Sequence, residues 1–278
     1  MTKQFSLAHL TALEFAPPEL TYLASDAGYD FVSFRPIYMG LPNEPNYALA
    51  ENKEMFRYTK KALEDTGIKL LDIELAKIQD DIDPKEYEPA LEIGAELGGR
   101  HVLSSIWTED RSLYVERFHE LCELSKTYEL TVELEFVPIA GVSNLEGAID
   151  VLESVQQENA GLMIDLHHFH RSKENAEDLK TLPKEWFRYL HLCDAPSKIP
   201  EQKEELIRIM REDRSYVGDG GIDIASIVKN IPEIPYSIEQ PNRNEADRLG
   251  YPEFVRQTLI KAKDYFNTIS SEDRTIRK

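Results

Sequence analysis

The stretch Leu130-Thr131-Val132-Glu133-Leu134-Glu135-Phe136 is a short β-patterned run, and Gly161-Leu162-Met163-Ile164-Asp165-Leu166 is a second. Between them, residues 145–156 place apolar side chains at helical spacing, and Ser143 stands three residues before Glu146, the spacing of a capping box. Two such runs joined by a helix form a β-α-β unit with parallel strands. Working outward, the unit recurs to both ends of the chain. Strand patterns at 5–10, 31–34, 69–76, 101–106, 187–193 and 236–239 bring the strands to eight. Helical patterns at 17–27, 53–66, 84–97, 111–128, 176–182, 201–211 and 252–266 do the same for the helices. Eight units in 278 residues predict an α/β chain folded as a single (β/α)8 TIM barrel, one domain over 1–278, with a polar tail at 267–278 that frays.

Local punctuation agrees with these boundaries. Pro17 and Pro18 open a helix that Gly28 closes, and Gly67, Gly98 and Gly99 sit between helices and strands. The stretch 212–235 is too long for an ordinary connection and holds Gly218, Gly220 and Gly221. It reads as a functional loop, flexible enough to close over a site, with a short helix near 224–230.

Charge narrows the function. Lys and Arg total 32 against 51 Asp and Glu, a formal net charge of −19. Nucleic acid and anionic membranes need a basic face, so neither is an expected partner. No apolar run is long enough to span a bilayer, and no leader pattern opens the chain, so a cytoplasmic protein is expected. Cys122 and Cys193 are too few for a disulfide framework or a thiolate metal cluster. Walker A, G-x-G-x-x-G, nucleophile-elbow and C-x-x-C patterns are missing from the sequence.

Reaction centres of such barrels lie at the C-terminal ends of the strands. Four successive strand ends carry Glu135, Asp165, His191 and Glu239, with Asp194 close behind His191. Carboxylates and an imidazole without thiolate suit one hard or borderline divalent cation: Mn²⁺, Mg²⁺, Co²⁺ or Zn²⁺. Taken singly, each has an ordinary structural reading. Asp165 can cap the following helix, His191 can be a satisfied core histidine, Glu239 a loop residue, and Glu135 an exposed residue on an irregular strand. The joint pattern favours a shared metal. Glu133, two residues earlier, leaves the fifth-strand ligand open by one pleat. Of the three histidines after Asp165, only one is expected to reach substrate; Asp165 and His168 stand in Asp-x-x-His spacing, and His167 and His170 read as packing. Arg214 reads equally as an anion or hydroxyl contact and as a helix C-terminal charge. His9 and Glu74, near the ends of the first and third strands, are second-tier substrate contacts.

These residues resemble the xylose isomerase-like sugar isomerase/epimerase superfamily. The similarity is carried by Leu134-Glu135-Phe136-Val137-Pro138, by Asn159 through His170, by His191-Leu192-Cys193-Asp194, by Glu212-Asp213-Arg214 leading to Gly218-Asp219-Gly220-Gly221, and by Ser237-Ile238-Glu239. It is especially similar to inosose isomerases across the sixth strand and the Glu212-Asp213-Arg214 loop. The resemblance implies one divalent metal held by Glu135, Asp165, His191 and Glu239. It implies that Glu135 and Glu239 serve as the acid/base pair, and that His168 and Arg214 contact substrate. Val217 departs from the proline common before Gly218, and the histidine set of the three-metal endonuclease IV branch is incomplete.

The function expected is a metal-dependent isomerase or epimerase of a small keto-sugar or keto-polyol, working through an enediolate. A dehydratase of the 3-dehydroshikimate or inosose type is the alternative, because the same carbanion can expel a β-hydroxyl. A barrel that binds sugar without turnover is the third reading. The resemblance leaves a homodimer open.

Overall fold

The computed structural model describes residues 3–40 and 44–276, with 270–276 as backbone only. Its strands are β1 (Phe5–Leu7), β2 (Phe31–Phe34), β3 (Lys69–Ile78), β4 (His101–Ile106), β5 (Thr131–Glu135), β6 (Ala160–Asp165), β7 (Leu190–Leu192) and β8 (Tyr236–Ile238). They pair in parallel in chain order, and β1 meets β8 through Phe5 opposite Tyr236 and Leu7 opposite Ile238, which closes the sheet into a barrel. The helices are α1 (Pro17–Ala27), α2 (Lys53–Thr66), α3 (Glu88–Glu96), α4 (Arg111–Thr127), α5 (Leu145–Val155), α6 (Leu166–Arg171), α7 (Lys203–Glu212), α8 (Ile224–Lys229), α9 (Arg243–Leu249) and α10 (Tyr251–Ile276). The chain is thus an α/β TIM barrel, as the alternation predicts.

Strand alternation sorts the side chains. Val132, Leu134, Leu162 and Ile164 join the main core with helix residues such as Phe118, Leu121, Val151 and Leu152. Truncating Leu134 there costs roughly 2–5 kcal/mol. The intervening residues face inward. Leu71, Leu75, Leu103, Met163 and Tyr189 form a second, smaller apolar cluster. The buried polar residues Ser6, Ser33 and Asp72 form a chain, with Ser6 Oγ 3.0 Å from Ser33 Oγ and Ser33 donating to Asp72 Oδ1.

Three local expectations are corrected. The cap of α5 is Asn144 rather than Ser143: Asn144 Oδ1 accepts the Gly147 N–H at 2.9 Å, while the Ser143 carbonyl accepts the Ser172 hydroxyl. The stretch 176–182 forms a 3₁₀ turn, Ala176–Thr181, and the α-helix of this connection is the earlier α6. The last helix continues through Ile276 instead of stopping at Phe266, because residues 267–276 contain no Pro or Gly to interrupt it.

Candidate metal centre and active site

Asp165 ends β6 and caps α6 at the same time. Its Oδ1 accepts the His168 N–H at 3.0 Å, and its Oδ2 faces inward, 3.9 Å from both His168 Nε2 and His191 Nδ1. The cap and ligand readings of Asp165 therefore coexist on two oxygens. Capping starts α6 at once, so His168 turns into the barrel mouth instead of continuing a strand. His167 meets Arg171 at 3.4 Å and is buried away from solvent.

Around Asp165 Oδ2 gather the other candidates. His191 Nδ1 stands 3.8 Å from Glu135 Oε1 and 3.4 Å from Glu239 Oε2, and His168 Nε2 stands 3.9 Å from Glu135 Oε1. Glu135, Asp165 and His191 offer donor atoms within 4.8 Å of one another. Glu133 is held elsewhere. It accepts from Thr131 Oγ1 at 2.6 Å and from Arg188 at 3.1 and 3.2 Å. The structure brings Glu135, and not Glu133, to His191.

Arg214 completes the cluster. Its Nη1 donates to Asp165 Oδ2 at 2.6 Å, and its Nη2 lies 3.0 Å from Glu239 Oε2. It is 1% exposed, so the guanidinium is an internal counter-ion to the two carboxylates. Cys193 Sγ, 3.4 Å from Arg214, is a thiol that burial pushes up to about 12.

The electrostatics follow from burying acids and imidazoles side by side. Burial, then the Asp165 charge, pushes the Glu135 carboxyl well above its usual range. Burial pushes Glu239 upward too, but the charges of His191 and Arg214 overcome it and hold it well below. Asp165 is likewise lowered: burial opposes, and Arg214 and His168 prevail. His191 resists burial through Glu239, Glu74 and Glu135 and rises to about 10. His168 falls to about 4 through burial. Asp72 rises to about 8 through burial and the neighbouring Glu74.

This donor set fits a divalent cation. Neither ring nitrogen of the fully buried His191 has a well-aligned hydrogen-bond partner, an arrangement that costs free energy unless something else takes the lone pair. The surrounding atoms are carboxylate oxygens, which together with imidazole suit Mn²⁺, Mg²⁺, Co²⁺ or Zn²⁺.

A small void opens above the cluster. It is lined by Glu135, Glu239, His168 and Arg214 on one side and by Arg35, Met39, Lys77, Trp107, Met210 and Arg211 on the other. Its volume is about 60 Å³, against roughly 300–1,000 Å³ for pockets that enclose a ligand. A polyol enters only if lining side chains move. Met210 and Arg211 sit on α7, which buries only Ile209 and is the lightly packed side of this void.

The second-tier residues are placed differently. His9 does not line the void: its Nδ1 accepts the Arg35 N–H at 2.9 Å and its Nε2 faces the Phe15 carbonyl at 2.9 Å, so both nitrogens are committed to backbone. A strand-end position alone could not reveal that. Glu74 pairs with Arg35 Nε at 2.9 Å and groups with Asp72 and His191. It reaches the cluster through those neighbours instead of lining the void.

The glycine loop is not the flexible lid its composition suggests. Asp194 Oδ1 accepts the N–H groups of Ala195 (2.8 Å) and Ile222 (3.0 Å), and Oδ2 accepts those of Gly218 (3.1 Å) and Gly220 (3.0 Å). A Cβ on Gly220 would stand 2.3 Å from Asp194 Oδ1, so glycine is required for the close approach. The glycines serve a staple.

Sequence reasoning missed Arg35, Lys77 and Asp72. Arg35 directly follows β2, so the strand-end rule applied to that strand would have found it. Asp72 and Glu74 stand two apart in β3, the spacing of one sheet face.

A family model described as xylose isomerase-like TIM barrel matches residues 22–259. The chain belongs to this family. Among curated relatives, an inosose isomerase from Bacillus velezensis is 25% identical over 271 residues, which is 90% of each chain. Among solved structures, the IOLI protein, described with a bound zinc atom, superposes with a TM-score of 0.78 at 21% identity, covering 94% of this chain and 97% of that one. D-allulose 3-epimerase from Methylomonas sp., in complex with D-allulose, superposes with a TM-score of 0.69 at 14% identity, covering 95% and 97%.

Proposed function

We propose that this chain is a divalent-metal-dependent isomerase or epimerase of a small keto-sugar or keto-polyol. The observation that carries the reading is the convergence of carboxylate oxygens of Glu135, Asp165 and Glu239 at 3.8, 3.9 and 3.4 Å from Nδ1 of the fully buried His191 at the barrel mouth. The inosose isomerase relative and the epimerase neighbour support the substrate class.

Glu135, Asp165, His191 and Glu239 would hold the cation, which supplies positive charge beside a substrate carbonyl and lowers the cost of an enediolate. The chain supplies the proton traffic. Glu135 and Glu239 come from β5 and β8, three strands apart, so they can address different faces or carbons of one bound polyol. One removes the proton α to the carbonyl, and the other returns a proton elsewhere. His168, kept neutral by burial, can donate to or accept from a substrate oxygen. Arg214 balances Asp165 and Glu239 at the wall of the void, with its Nε donating to the Met210 carbonyl at 2.9 Å, so it acts on a bound substrate through the two carboxylates it holds. Trp107 and Met39 wall the void with apolar surface that excludes bulk water.

Metal content by elemental mass spectrometry, followed by a keto-polyol screen in D₂O, tests the reading. About one divalent ion per chain, lost in Asp165→Ala with Glu239→Ala, and deuterium at the substrate α carbon are the expected results. A protein that holds no Mn²⁺, Co²⁺ or Zn²⁺ after refilling overturns it. Release of water with a new ultraviolet-absorbing enone would assign the dehydratase chemistry instead.

A further inference from the structure

The void above the metal cluster has a second wall that the isomerase reading leaves without a task. Arg35, Lys77 and Arg211 line it together, in a chain whose net charge is −19. Among the described residues, neither the Lys77 ammonium nor the Arg211 guanidinium has a carboxylate partner. Lys77 Nζ lies 5.0 Å from the Trp107 ring centroid. The two cations are near enough to repel: burial, then the charges of Arg211 and Arg35, hold Lys77 below its ordinary range.

Arg35 is 8% exposed and offers a third donor. Its Nε is taken by Glu74 at 2.9 Å, but its Nη1 is buried with no partner. The acids near this wall do not neutralise it. Glu74 is engaged with Arg35, and Glu44 accepts the Met39 N–H at 3.2 Å while it faces Lys77 and Arg35. Glu239 also faces Arg35 but is held by Arg214 Nη2 at 3.0 Å, which leaves Lys77 and Arg211 without a bonded acid among the described residues. Leaving a guanidinium nitrogen buried and unbonded, with like charges beside it, is costly unless an anion arrives. Arginine matches the oxygens of carboxylates and phosphates by paired hydrogen bonds, and lysine adds a point charge.

We infer that Arg35, Lys77 and Arg211 form an oxyanion subsite, so that the keto-polyol substrate carries a carboxylate or phosphate group at the end that faces this wall. This rests on the isomerase reading of the same void and names the substrate class within it. The subsite fixes one end of the substrate while the carbonyl end faces Glu135 and Glu239.

The test compares Mn²⁺-loaded wild type with Lys77→Met, Arg211→Met and the double variant by calorimetry. Probes are D-fructose, D-fructose 6-phosphate and D-fructuronate, with inorganic phosphate and acetate titrated separately. Wild type should bind one anionic sugar at least about tenfold more tightly than D-fructose, an increment that one good charge-assisted contact supplies. The double variant should lose that preference. Preference for the phosphate or for the uronate tells the two anions apart. Arg211→Glu, at a partly buried position, gives a second check and should invert the preference. Retained Mn²⁺ with no preference between charged and neutral probes, or no response to any anion, overturns the subsite and leaves the metal reading standing. Failure to retain Mn²⁺ sinks the reading beneath it instead.

Discussion

Arg214 Nη1 lies 2.6 Å from Asp165 Oδ2, and the same guanidinium reaches Glu239 Oε2 at 3.0 Å. One buried arginine thus bridges carboxylates from two different strands. Both acids sit below their ordinary range, against the pull of burial, because of this contact and the nearby imidazoles. The cluster is held together by charge balance before any cation arrives.

Arg214→Gln should therefore strip a counter-charge from two buried carboxylates and destabilise the metal-free protein by roughly 3–5 kcal/mol. Added Mn²⁺ should raise the thermal midpoint of the variant more than that of wild type, because it replaces the missing charge. Calorimetric unfolding with and without Mn²⁺ checks this. Equal metal-induced shifts in the two proteins would mean that Arg214 is not the counter-ion.

Glu135→Gln and Glu239→Gln should each lower kcat by about 10²–10⁴-fold, the range of one lost acid/base group. Their isotope behaviour should differ. The variant lacking the base should stop deuterium exchange at the α carbon, while the variant lacking the return group should still exchange substrate without making product. Mass spectrometry of recovered substrate reads the difference, and identical behaviour of the two would refute a division of labour.

Asp194→Ala should release four main-chain N–H groups at once, while circular dichroism stays barrel-like. Amide exchange at Gly218, Gly220 and Ile222 should accelerate at least tenfold, with residues of α4 unaffected. Gly220→Ala should resemble it, since its Cβ meets the Asp194 carboxylate at 2.3 Å. Unchanged exchange at these amides would show that the loop is held by something other than Asp194.

His9 is fully buried, and burial lowers it to about 4 from an ordinary value near 6.5. The unfolded chain thus takes up this proton first as pH falls. The stability from burying neutral His9 is complete above pH 6.5 and drains away as pH falls toward 4. At about 1.4 kcal/mol per unit, the window is worth roughly 3 kcal/mol. Urea unfolding of wild type and His9→Gln at pH 7 and pH 4.5 should show a shallower acid loss in the variant. Equal losses would contradict the assignment.

The barrel was legible because its signals are local and repeated. The strands are short β-branched or aromatic runs, and most helices are amphipathic stretches closed by a glycine or opened by a capping side chain. The gathering of Glu135, Asp165, His191 and Glu239 followed from one rule about strand ends. What stayed hidden depends on contacts across the barrel. Nothing beside His9 in the sequence reveals that Phe15 and Arg35 backbone groups saturate it. The choice between Glu133 and Glu135 needed Arg188, 55 residues away, to reveal which glutamate was already paired. The glycines near 218–221 signalled an unusual loop, but its rigidity lies in Asp194, which reads from sequence as another acid behind a histidine.

Asp194 stands three residues after His191, so a single strand end sets both a candidate ligand and the course of residues 215–222. Few side chains in that segment can be exchanged without disturbing the chemistry beside it. The opposite rim is built otherwise. Arg35 and Trp107 directly follow β2 and β4, Lys77 lies in β3, and each is tied to a different neighbour, Arg35 to Glu74, Lys77 to the Trp107 ring and Trp107 to the Ser105 hydroxyl. The β7–β8 side of the mouth thus sets ligand placement and loop course through one carboxylate, while the β2–β4 side divides its work among separate side-chain pairs.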